Sequence, residues 1–182
     1  MLDSVKPETI NLETVKQLIT NQFEAAASTL NACIDICPEA GWNGPVVNYK
    51  FCQAVFHTLF YADYYLGLTD EDFRKEPFHR ENAHVFRDYE ELEPRPPVLL
   101  YEKPWIKTYL QYCRQRCHDV VGAETAESLM AKTKFPRKDF SRAELHVYNI
   151  RHVQHHAAQL IMRLRLDFQS DVPWFRSGWK EG

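Results

Sequence analysis

The sequence predicts an all-α protein, a four-helix bundle with a long connection between its second and third helices. Three observations lead there. Four stretches repeat apolar residues at the three-and-four spacing of one helical face. No stretch shows a convincing strand alternation. The long irregular interruption, residues 67–103, falls between the second and third of these stretches. Four amphipathic helices bury their stripes most simply against one another. No glycine-rich or low-complexity linker divides the 182 residues, so residues 1–182 read as a single domain.

The first helix carries Leu12, Val15, Leu18, Ile19, Phe23, Ala26, Leu30, Cys33 and Ile36, and stops before Pro38 and a turn at residues 41–45. The second is read from Asn48, a good N-cap, to Leu66; it is apolar nearly all round and should be the most buried. The third starts near Pro104, a residue suited to a first helical turn. It carries Trp105, Ile106, Leu110, Cys113, Cys117 and Val120 up to Gly122, and a short helical piece follows at residues 123–132. At the fourth, Ser141 and Glu144 form a capping box and Phe140 and Leu145 a hydrophobic staple; this helix runs to about Phe168.

The connection between helices two and three is dense in charge and contains the rigid PRPP of residues 94–97. A segment of that length is usually a lid, a binding loop or an interaction surface, and it leaves room for an up-up-down-down arrangement. The tail DVPWFRSGW, residues 171–179, is expected to pack back onto the helices through its two tryptophans.

Apolar residues at 45% and aromatic residues at 13% argue against disorder, and a formal net charge of −3 offers no basic footprint for nucleic acid. The first ten residues lack the apolar run of an export signal, and no later segment has the length of a membrane span. The expectation is a cytoplasmic protein that binds neither nucleic acid nor membrane. Of the five cysteines, Cys33 with Cys37 and Cys113 with Cys117 lie one helical turn apart, where side chains are poorly placed to bridge. They read as small buried hydrophobes. A metal site on Cys113, Cys117 and His118 is the alternative, although a helix core produces the same spacing by chance.

The fourth helix raises a sharper question, because HVYNIRHVQHHAAQL (residues 146–160) puts four histidines into a stretch that otherwise reads as buried. At about 100° per residue His155 lies opposite the apolar stripe and should be solvated. His152, His156, Asn149 and Gln159 form a polar strip along one border. His152 and His156 are one turn apart, the separation at which two histidines of a helix grip one ion. A third ligand must then come from another helix, and His57, set mid-helix among Phe56, Leu59 and Phe60, is the candidate. Asn149 and Gln159 would orient ligands or substrate, and Arg163 either reaches a substrate carboxylate or is solvated. His146 reads as structural or partly exposed. His79, His84 and His118 read as surface or loop residues, and the Glu81/His84 pair lacks the partners of a di-iron site. No glutamate stands beside the histidines in sequence to serve as a general base.

These residues resemble the DinB-like (DinB/YfiT-like) superfamily of metal-binding four-helix bundles. The resemblance rests on His57 in FHTLFYADYYL, on HVQHHAAQL of the last helix and on the closing Pro173-Trp174, and in helix order it covers the whole chain. The chain departs from it at Ala157-Ala158, where many relatives have Arg-Gly. The resemblance implies a three-histidine site, His57, His152 and His156, that holds a divalent metal, zinc or nickel. It further implies a homodimer and a small-molecule substrate transformed with a low-molecular-weight thiol as cosubstrate, in a transferase or isomerase. A metal-dependent hydrolase and a non-catalytic metal-binding or interaction module are the alternatives. A haemerythrin-like oxygen carrier would need an HxxxE motif that is not found.

Overall fold

The computed structural model describes residues 11–136 and 138–181. They are mostly helical, and the fold class is all-α. In chain order the elements are α1 (Leu12–Ile36), α2 (Glu39–Trp42), a hairpin of β1 (Pro45–Val46) and β2 (Tyr49–Lys50), and α3 (Phe51–Leu66). Next come α4 (Asp70–Arg74), α5 (Pro77–Glu81), α6 (Ala83–Phe86), a 3-10 turn (Glu90–Leu92), α7 (Lys103–Ala123), α8 (Ala126–Met130) and α9 (Arg142–Phe168). Of the long helices, α1 and α3 each pack against both α7 and α9. The core they enclose includes the fully buried Leu30, Ile34, Leu59, Phe60, Ile106, Leu110, Leu145 and Leu160.

Local chemistry sets the helix ends. Asn11 Oδ1 accepts the Thr14 N–H at 2.7 Å to start α1, and Ser141 Oγ accepts the Glu144 N–H at 3.2 Å to start α9. The start of α3 departs from expectation. Asn48 sits in the turn of the hairpin, where Val46 pairs with Tyr49, and the cap is Lys50, whose N–H donates to Gln53 Oε1 at 2.8 Å. Val46 is buried, so the hairpin ties the chain to the core before the helix begins.

The connection between α3 and α7 is built onto the core by Phe73, Phe86 and Tyr101, all buried. His79, expected at the surface, is 1% exposed and donates from Nε2 to Asp63 Oδ2 at 2.8 Å. Tyr109 and Arg116 of α7 also donate to this carboxylate, at 2.9 and 2.5 Å, so a charge buried in α3 is met from three sides. The α8–α9 junction is held likewise. Arg142, at the first position of α9, donates to the carbonyls of Tyr65, Leu66 and Gly67 that α3 leaves unpaired at its end, and to Glu124 Oε1 at 2.8 Å. His146, buried, donates to the same oxygen at 3.0 Å.

The tail lies along α1. The Gly178 and Lys180 N–H groups donate to Asn21 O and Ser28 Oγ, both at 2.9 Å, and Arg114 stacks 3.4 Å over the Trp179 ring. Trp179 therefore packs as expected. Trp174 does not: it is 80% exposed. Among the described residues no helix is long and apolar enough to cross a membrane.

Candidate metal centre

Packing of α3 on α9 brings His57 to the His152/His156 pair. One nitrogen from each ring lies within 4.8 Å of one from each of the others. The ring centroids are 4.6 Å apart for His152 and His156, 4.8 Å for His57 and His156, and 5.8 Å for His57 and His152. A tetrahedral ion with bonds of about 2.0–2.1 Å holds its nitrogens roughly 3.4 Å apart, inside the 4.8 Å that bounds the separations here. Among the described residues this is the group of His, Cys, Asp and Glu side chains placed to hold an ion.

The hydrogen bonds around the cluster decide which nitrogens are free. Glu91, from the 3-10 turn, puts Oε2 2.7 Å from His57 Nδ1. A carboxylate only accepts, so Nδ1 is the donor of this bond and Nε2 is the nitrogen left to face an ion. Gln159 Oε1 stands 3.1 Å from His156 Nδ1, which leaves Nε2 of His156 free in the same way, while the Gln159 amide turns to His155 Nε2 at 3.1 Å. His152 Nδ1 is buried without a hydrogen-bond partner in the described structure. Burial, reinforced by the neighbouring imidazoles, pushes the pKa of His152 down to about 3 and that of His156 to about 4. Both rings are therefore neutral at physiological pH, the protonation state a divalent ion requires. The donor set and the unpartnered nitrogen fit a divalent transition-metal cation.

Glu91 departs from the expectation that no glutamate stands by the histidines. Its side chain is 3% exposed, and Tyr61 of α3 anchors its backbone by donating to Glu91 O at 2.8 Å. Bonded to Nδ1, the carboxylate lies behind the ring when Nε2 faces an ion. That is the place of a group that orients and polarises a ligand, not of a base acting on substrate. Nothing in the sequence singled it out, because Asp88, Glu90 and Glu93 surround it.

The other predicted residues separate. Gln159 reaches the site as described. Asn149 turns away, donating to Ala62 O at 2.7 Å from a buried position, and so ties α9 to α3 one turn before His152. Arg163 pairs with Asp167 and is absent from the lining of the cavity beside the histidines. His155 is exposed, as its helical position predicted, and so is His84. The cysteine alternative dissolves: Cys113 and Cys117 are buried, burial pushes both thiols far up, and His118 instead donates to Glu24 at 2.7 Å.

The three imidazoles open on a cavity of about 580 Å³ whose walls include Tyr61, Tyr64, Tyr65 and Tyr148, with Lys138 at its lining. No family model matches the chain, and no curated protein or solved structure matches it either.

Proposed function

We propose that the protein is a divalent-metal-binding enzyme of the DinB-like type, a four-helix bundle that uses His57, His152 and His156 to hold zinc or nickel and joins a low-molecular-weight thiol to a small electrophilic substrate. The observation that carries this reading is the convergence of three imidazoles from α3 and α9 within 4.8 Å at a cavity. When bound, a divalent ion on three neutral imidazoles retains an open position and favours the thiolate form of a thiol there. The chain does the rest. Glu91 and Gln159 fix the tautomers of His57 and His156, Tyr61 holds the Glu91 turn in place, and four tyrosines line the cavity around the reacting groups.

Thiol transfer is favoured over hydrolysis because Glu91 is committed to His57 Nδ1 and the cavity lining contains no carboxylate to activate water. A homodimer completes the reading. The test is elemental analysis of protein purified without added metal, followed by a screen of thiols against electrophiles. About one equivalent of metal and turnover that disappears in His156→Ala are expected. Metal without turnover would leave a non-catalytic metal-binding module, and absence of both would end the proposal.

A further inference from the structure

The charges at the cavity point to the kind of molecule it takes. Its lining holds three histidines, four tyrosines and Lys138 but neither aspartate nor glutamate. Lys138 lies between α8 and α9, with Nζ 4.7 Å from the centroid of the Tyr148 ring and 5.5 Å from that of Tyr65. Two aromatic faces thus hold the ammonium at the cavity and remove part of its water. Its sequence neighbour Asp139 is paired with Lys132, and among the described residues no carboxylate lies within ion-pair distance of Lys138. A divalent ion on three imidazoles would add two further positive charges, of which the Glu91 carboxylate behind His57 offsets one and the cavity lining none.

We propose that the thiol or substrate accepted here carries a carboxylate, seated on Lys138 while its reacting end faces His57, His152 and His156. The proposal rests on the metal-binding reading above. One ammonium matches the single charge of a carboxylate, whereas a phosphate dianion would call for a second cation. The tyrosine walls suit the short carbon chain between the two ends.

The experiment loads the full chain with cobalt(II) and titrates mercaptoacetate and 3-mercaptopropionate against 2-mercaptoethanol, following the thiolate-to-cobalt absorption. Differences in thiol acidity cancel when the preference for the carboxylate thiol over the neutral one is compared between proteins. That preference should fall about tenfold in Lys138→Gln, the loss of one charge-assisted hydrogen bond, and return in Lys138→Arg. A cobalt-loaded protein whose preference is unchanged in Lys138→Gln overturns this inference and leaves the metal site standing. A protein that takes up no cobalt by elemental analysis overturns both.

Discussion

At His57 the decisive neighbour is a carboxylate 34 residues away. With Nδ1 donating to Glu91, the ring is held with Nε2 in a fixed direction, and the negative charge behind it strengthens its hold on a cation. Removing that support should cost metal affinity while leaving the helices intact. In Glu91→Ala, competition with a chromogenic chelator should read a metal affinity lower by about 10- to 100-fold, with unchanged helical circular dichroism. An affinity equal to the parent's would show that the bond is incidental. The contrast between the histidines and Glu91 explains what could be read in advance. His152 and His156 are four residues apart on one helix, so their shared face follows from helix geometry alone. Glu91 is one of several acids in a segment with no periodicity, and only the path of that segment across α3 selects it.

At the scale of elements, the start of α9 was legible because Ser141 caps its own turn. The start of α3 was not legible at Asn48, because a two-residue ladder leaves no periodic trace in the sequence and its stability comes from burying Val46. The junction of α3, α8 and α9 shows how such contacts govern stability. Burial alone would raise the Glu124 carboxyl, but hydrogen bonds from His146, Ser128 and Arg142 outweigh it and bring the pKa from 4.5 down to about 2. A carboxyl depressed in the folded state stabilises fully above its unfolded pKa, and that contribution fades as pH falls toward the folded one. Urea unfolding across a pH series should therefore find Glu124→Gln less stable than the parent at pH 7 by on the order of 3 kcal/mol. The difference should narrow between about pH 4.5 and 2. A gap that stays constant down to pH 3 would mean that Glu124 is not held in this way.

For the molecule as a whole, an ion at the three histidines would fasten α3 to α9 and so stabilise the fold beyond the site itself. Binding to the native state alone adds about 2.7 kcal/mol at a hundredfold excess of metal over Kd. For a chain of this size that corresponds to a rise in Tm of roughly 5–10 °C. Calorimetry should record this rise on adding zinc or nickel, its reversal by a chelator and its absence in His57→Ala; a Tm indifferent to metal in the parent would contradict it. By itself the sequence determined the four long helices, most of their ends, the shared face of His152 and His156 and the exposure of His155. Each of these depends on residues within about two turns of one another. The sequence also named His57 as the partner of that pair, and tertiary structure brought it there; tertiary structure alone decided that Glu91 backs it, that His79 is buried on Asp63, and that Trp179 packs while Trp174 stays in solvent. In each case the partner is brought from a distant part of the chain, and periodicity, which reports which face of an element is apolar, carries no information about what will cover that face.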